Sequence, residues 1–175
     1  MTSTSTHALR VAEASGRPEP TSESMRRTLA GYPTGVAVVA ARIDGRIVGL
    51  SANSLVSVSL EPPLVSISFA RTSTTWPLLR RASRWGISVL SENQEPVVDL
   101  LRRPAGQRFD GIDMDVRDDG HAFVHDSLAA LIVTRRAEID AGDHVLVLLE
   151  VHHLDRNTSL RPLVFFDSTT HQLSR

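Results

Sequence analysis

The 175-residue chain contains no cysteine, which excludes disulfides, thiolate metal sites and a cysteine nucleophile and fits a cytoplasmic protein. It contains no lysine either, since all 19 basic residues are arginine. Against 20 acidic residues the formal net charge is −1, so nothing suggests nucleic acid or an anionic membrane as a partner. No apolar run approaches the length of a membrane span, and the N-terminus lacks the apolar core of a signal peptide. Neither G-x-G-x-x-G nor a Walker-type loop occurs, which argues against Rossmann or P-loop nucleotide binding. G-x-S-x-G is also missing, so the serines are not set up as a hydrolase nucleophile. Asp113, Asp115, Asp118 and Asp119 lack the closing Glu and central Gly of an EF-hand and read as a solvated loop. His152 and His153 adjoin on a predicted strand and so face opposite ways, while His121 and His125 would share a face only on a helix. No metal site is expected.

What remains suits one domain, large enough to bury about two-thirds of its unfolded surface. Residues 1–21, rich in Ser, Thr and Pro, read as a disordered tail, and the folded domain is expected over 22–175. A short helix over 25–30 has Ser22 or Ser24 as its cap and Gly31 to end it. Two β-branched runs flank Asp44-Gly45, a strong hairpin signal. Further strands are predicted over 64–69, 85–90, 128–139, 145–151 and 163–166. Helices are expected near 75–81, with Pro77 in the first turn, and after the capping box Ser91-Glu92-Asn93-Gln94. Residues 104–126 read as a long polar connection. Strands outnumber helices, and most connections are too short for parallel crossovers. The expected fold is therefore mainly β: a six- to seven-stranded antiparallel Greek-key barrel with short flanking helices.

The most informative stretch spans 49–76, GLSANSLVSVSLEPPLVSISFARTSTTW. Ser51, Asn53 and Ser54 offer hydrogen-bonding groups on short stems, and Ala52 leaves room for a flat ligand. Pro62 and Pro63 fix φ and remove two donors, which predicts a corner and not a continuing paired strand. Arg71, Ser73, Thr74 and Thr75 meet a predicted helix start, where free amides and hydroxyls suit a phosphate. A polar clamp for a planar ring and an anion site joined by one strand is a nucleotide-cofactor layout.

Six motifs run in order from about 26 to 166: Pro33-Thr34-Gly35-Val36, Gly49-Leu50-Ser51-Ala52-Asn53-Ser54, Ser57-Val58-Ser59-Leu60-Glu61-Pro62-Pro63-Leu64, Arg71-Thr72-Ser73-Thr74-Thr75-Trp76, Arg108-Phe109-Asp110-Gly111 and Gly142-Asp143-His144. In this series the chain resembles the flavin reductase family of the FMN-binding split-barrel fold, the reductase partners of two-component flavin monooxygenases. The resemblance implies FMN or FAD as cofactor, NADH or NADPH as hydride donor, a homodimer and a separate monooxygenase partner. It implies cofactor contacts at Thr34, Ser51, Ala52, Asn53, Ser54, Ser57, Glu61 and Pro62. Further contacts are implied at Arg71, Ser73, Thr74 and Thr75, with Arg108 and Phe109 near the phosphates. His144 is implied as the catalytic residue on the nicotinamide side. Trp76 and Trp85 are expected in the core. Ser51 stands where the family often has Thr, and 165–170, FFDSTT, replaces a basic, Gly-containing tail, where an acidic residue would weaken attraction for phosphates. Two other readings stay open: a flavin-binding protein without nicotinamide turnover, and a folded interaction module.

Overall fold

The computed structural model describes residues 19–173. Most of the expected tail over 1–21 lies outside these residues, and the part inside leads straight into the first helix. Helix α1 (Ser22–Ala30) is capped one residue earlier than expected, by Thr21. The Thr21 hydroxyl accepts from the Ser24 amide and the Ser24 hydroxyl accepts from the Thr21 amide, a reciprocal box that satisfies two orphan donors. No residue of α1 is buried. Strands β1 (Thr34–Gly35), β2 (Ala37–Ile43) and β3 (Arg46–Ala52) follow. The β2–β3 turn holds Asp44 at φ 51° and Gly45 at φ 78°, the left-handed pair that a two-residue hairpin requires.

Strands β4 (Val56–Leu60) and β5 (Pro63–Ala70) form a second hairpin closed by Glu61 and Pro62. Here the sequence expectation needs correction. Pro62 does turn the chain, but Pro63 opens β5 and pairs with Leu60, because the first residue of a strand beside an edge can spare its amide. A single-turn helix α2 (Trp76–Leu79) carries Pro77 in its first turn and is shorter than expected. Strand β6 (Arg84–Val89) leads through a 3₁₀ turn to α3 (Glu95–Leu101), which buries Val98 and Leu101. The capping box at Ser91 and Gln94 forms as expected. The supposed polar connection contains a small hairpin, β7 (Met114–Val116) and β8 (Ala122–Val124), whose second strand is fully buried. Its few apolar residues are diluted among aspartates, which hides them from a reading of periodicity. Thirteen-residue strands β9 (Ala129–Ala141) and β10 (His144–Arg156) outrun expectation, and β11 (Leu163–Phe166) is joined by an unexpected, mostly polar edge strand β12 (Thr169–Gln172).

Seven strands pair antiparallel in the order β3-β2-β6-β9-β10-β5-β4. Val39, Ile67, Ile87, Val133 and Val147, drawn from five of these strands, meet in one core, so the sheet curls around it as a split barrel. Aromatic rings fill one part of that core. Phe69 stacks on Trp76 at 4.5 Å between centroids, and Trp85 meets both edge-on while its indole N–H donates to the Leu79 carbonyl at 3.1 Å. A second core, around Val38, Leu90, Leu101, Val124 and Leu163, packs α3, β8 and β11 against the outer side of β2. Among the described residues no helix is long and apolar enough to cross a membrane.

Gly86 permits the closest approach between the two layers. A Cβ there would stand 2.2 Å from the Ala122 carbonyl oxygen and 2.8 Å from its carbon, both backbone atoms that cannot swing aside. Gly86→Ala is therefore expected to prise β8 from β6 and lower unfolding free energy by about 1–3 kcal/mol, the usual cost of overpacking. Urea titration checks this, and an unchanged midpoint would mean that the hairpin moves freely.

Candidate functional site

One trough crosses the edge of the barrel, made of three cavities that share lining residues. The largest, about 840 Å³, is walled by Arg26, Tyr32, Thr34, Asn53, Ser54, Ser66, Ser68 and Leu146. It shares Asn53 and Phe165 with a middle cavity of about 260 Å³, which adds Val36, Ser51, Ala52 and Arg102. Ser51 then opens into a third, of about 310 Å³, lined by Thr72 to Thr75 and Arg108. Strand alternation explains this surface. Ser66 and Ser68 face the trough while Ile67 and Phe69 are buried in the core, and Leu146 is paired opposite Ser68.

At the third cavity the positive charge comes from Arg108. Its Nη1 donates to Thr75 Oγ1 at 2.8 Å and to the Gly49 carbonyl at 3.5 Å, while Nε donates to the Arg103 carbonyl at 3.1 Å. No acidic side chain pairs with Arg108 among the described residues. These contacts fix the guanidinium beside the hydroxyls of Ser51, Ser73, Thr74 and Thr75, a donor set suited to a phosphate. Ser73 differs from expectation in one respect. Its hydroxyl accepts from the amides of Thr75 and Trp76 at 3.3 and 3.1 Å, so those helix-start amides are already engaged.

Arg71 lies elsewhere. Its guanidinium pairs with Asp140, its Nε donates to the Gly142 carbonyl at 3.1 Å, and its amide donates to the Asp143 carbonyl at 2.9 Å. The nearby carboxylate draws the side chain onto the β9–β10 turn, and Arg71 does not line the trough. Ser57, Glu61 and Pro62 also lie outside it, on the edge hairpin β4–β5. Phe109 packs against the second core. Thr34, Ser51, Ala52, Asn53, Ser54, Ser73, Thr74, Thr75 and Arg108 are brought together. Ser54 serves partly as scaffold, since its hydroxyl accepts from the Ser68 amide at 3.1 Å.

His144 begins β10 opposite Ala70, on the strand face shared by Leu146 and Ser68; it lines none of the three cavities, although Leu146, two residues on, walls the widest of them. Gly142, at φ 63°, makes the preceding reversal possible. Asp143 Oδ1 lies 2.7 Å from His144 Nδ1. A carboxylate can only accept, so Nδ1 carries the proton and Nε2 is left to meet a ligand. The hydrogen bond from His144, and then its charge, hold the exposed Asp143 carboxyl below the ordinary 3.8.

The trough has the features a flavin requires. Thr34 Oγ1 is shielded from solvent without a hydrogen-bond partner, an orphan that a ring carbonyl or amide would satisfy. Val36, Ala52 and Phe165 give the middle cavity apolar walls, and Arg108 supplies charge at one end. Arg26, Tyr32, Ser66, Ser68, Arg102, Leu146 and Phe165 were not singled out from the sequence as site residues. Only the Ser66-Ile67-Ser68-Phe69 alternation carried a signal for any of them.

A separate cavity of about 660 Å³, lined by Asp115, Asp119, His121, His125, His153 and Asp155 among others, shares no residue with the trough. Two of the four aspartates read as a solvated loop pair through their side chains, and a third accepts through its backbone carbonyl. Asp119 pairs with Arg84 and the buried His121, Asp115 with Arg117, and Arg42 donates to the Asp118 carbonyl. Burial pushes the Asp119 carboxyl up, but the His121 charge and hydrogen bonds from Arg84 and His121 outweigh it and hold the carboxyl below 3.8. Among the described residues no group of three His, Cys, Asp or Glu side chains is placed to hold a metal ion.

Residues 25–174 match the family model described as flavin reductase like domain. The FMN reductase (NADH) SmoA of Agrobacterium fabrum is 38% identical over 130 residues, 74% of each chain. The flavin-dependent monooxygenase reductase subunit HsaB of Mycobacterium tuberculosis is 30% identical over 145 residues, 82% of this chain and 78% of that protein. Among solved structures, the NADH:FAD oxidoreductase SgcE6 of Streptomyces globisporus superposes with a TM-score of 0.83 at 27% identity, covering 90% of this chain and 96% of that one.

The Asp143–His144 pair has a measurable consequence. A carboxyl whose folded-state value is depressed keeps its pairing above 3.8 and loses it as pH falls through the folded-state value. His144→Ala removes the first two causes of the depression, so the Asp143 midpoint is expected to rise toward 3.8. Carboxyl ¹³C shifts followed against pH check it, and an unmoved midpoint would mean that the two side chains do not pair in solution.

Proposed function

Since this chain belongs to the flavin reductase family, we propose that it is an NAD(P)H:flavin oxidoreductase that reduces FMN or FAD by hydride transfer and supplies the reduced flavin to a separate monooxygenase. The observation that carries the reading is the single trough with Arg108 at one end, oriented by neutral acceptors and paired with no carboxylate among the described residues. The chemistry supplied by the bound pair is hydride transfer from the dihydronicotinamide to the flavin ring, which needs neither a protein nucleophile nor a strong acid or base. The chain's own part is binding and alignment. We assign Ser51, Asn53 and Thr34 to the ring edge, and Arg108 with Ser73, Thr74 and Thr75 to the phosphate. Val36, Ala52 and Phe165 exclude water from the ring faces. His144, oriented through Nδ1 by Asp143, presents Nε2 to the nicotinamide side, where a polar contact steadies charge during transfer.

We also infer a two-fold homodimer. Val56, Val58 and Leu60 on the edge strand β4 are 56%, 49% and 89% exposed, and an unpaired apolar edge in a soluble chain calls for a cover. Light scattering at micromolar concentration is expected to give twice the chain mass, and a monomer mass would overturn the inference.

Paired substitutions test the site assignment. Arg108→Ala is expected to weaken FMN by about ten- to a hundred-fold while sparing riboflavin, which has no phosphate to lose a charge-assisted contact. His144→Ala is expected to slow reduction of bound flavin by NADH roughly ten- to a hundred-fold with little change in flavin affinity. Fluorescence quenching and stopped-flow absorbance read the two effects. Equal weakening of both flavins would remove Arg108 from the phosphate, and unchanged reduction rates would remove His144 from the reaction.

A further inference from the structure

The widest part of the trough holds two groups that the flavin assignment leaves unused. Tyr32, the only tyrosine of the chain, is 70% exposed on the cavity wall. Its ring packs against no other aromatic ring, and its hydroxyl makes no hydrogen bond among the described residues. Arg26, on α1, lines the same cavity and makes no ion pair or hydrogen bond among the described residues. Arg71, Arg80, Arg81, Arg84 and Arg136, by contrast, are all held by carboxylates. Neither group maintains the fold, since α1 buries nothing, and its end is tied to the barrel by the Asp167 amide donating to the Ala30 carbonyl at 2.9 Å.

Position narrows what they recognise. Arg108 already serves one phosphate, and the Ser51–Asn53 segment separates its cavity from Arg26 and Tyr32. A second cation at the other end therefore calls for a second anionic group. Leu146, which lines that end, lies two residues along β10 from His144 on the same strand face. A planar aromatic and an unpaired guanidinium lining one cavity, with Leu29 as apolar lining, match a purine attached to a diphosphate: the ring stacks on tyrosine and the phosphates meet arginine. We propose that Tyr32 and Arg26 form a subsite for an adenosine diphosphate group, supplied by the nicotinamide dinucleotide or by the distal half of FAD. The proposal rests on the flavin reductase reading for the occupant of the rest of the trough.

The test uses the full chain with Arg26→Ala, Tyr32→Ala and Tyr32→Phe. Calorimetric titration with ADP-ribose reads the subsite without turnover. Wild type is expected to bind, each alanine variant to weaken binding about ten-fold, and Tyr32→Phe to keep it, because stacking needs the ring and not the hydroxyl. Rates with NADH are then set beside rates with 1-benzyl-1,4-dihydronicotinamide, which has no adenosine diphosphate. FMN affinity is set beside FAD affinity in the same proteins. A higher KM for NADH with unchanged benzyl-donor rates assigns the subsite to the hydride donor. A loss for FAD and not FMN assigns it to the flavin. ADP-ribose binding that fails in wild type, or is equal in all four proteins, overturns the proposal even where flavin reduction persists. Binding lost in the alanine variants of a chain that reduces no flavin would uphold the subsite and overturn the reductase reading.

Discussion

The site depends on the curl of one antiparallel sheet. Strands from β3 to β4 pair in a single ladder, yet their inward side chains converge on the same apolar core. Burial of Val39, Ile67, Ile87, Val133 and Val147 on one side obliges the alternate residues to face outward. The curl then brings the end of β3, the outer face of β5 and the start of β10 to one trough. No helix could place Ser51, Ser68 and His144 on one surface from such distant points in the chain.

Local competition between carboxylates and hydroxyls decides which cations face that trough. Arg71 and Arg108 have the same side chain, and both lie near polar loops. Asp140 and the Gly142 carbonyl take Arg71 to the β9–β10 turn, where an exposed pair contributes only about 0–1 kcal/mol but is enough to orient the side chain. Arg108 meets only neutral acceptors, the Thr75 hydroxyl and the carbonyls of Gly49 and Arg103, and keeps its charge for a ligand. A cation held by neutral groups is a better anion receptor than one whose charge is already matched. The same logic separates Arg26 from the paired arginines of the outer surface.

The trough also shows how little of a hydride-transfer site must be reactive. Its side chains are serines, threonines, an asparagine, apolar residues, one tyrosine and the arginines Arg26, Arg102 and Arg108. These groups bind and align. Its ends differ: one is small and carries Arg108, and the other is wide and edged by α1.

Much of this was legible in the residues themselves. Asp44-Gly45, the alternation from Leu64 to Phe69 and the box at Ser91 and Gln94 each state a local preference that survives in the fold, because turn geometry and side-chain period are properties of short segments. The six ordered motifs likewise identified the family, and Ser51, Asn53 and Thr75 line the trough. Other features required the tertiary structure. The partner of Arg71 lies 69 residues away along the chain, and that of Arg108 lies 33 residues away, so no local pattern tells which arginine is neutralised. Strand β8 is buried against β6 because Gly86 lets it approach, and Tyr32 and Arg26 gain meaning only beside Ser68 and Leu146. Periodicity fixes which way a side chain points relative to its own strand. What it points at is set by strands that pair across the whole chain.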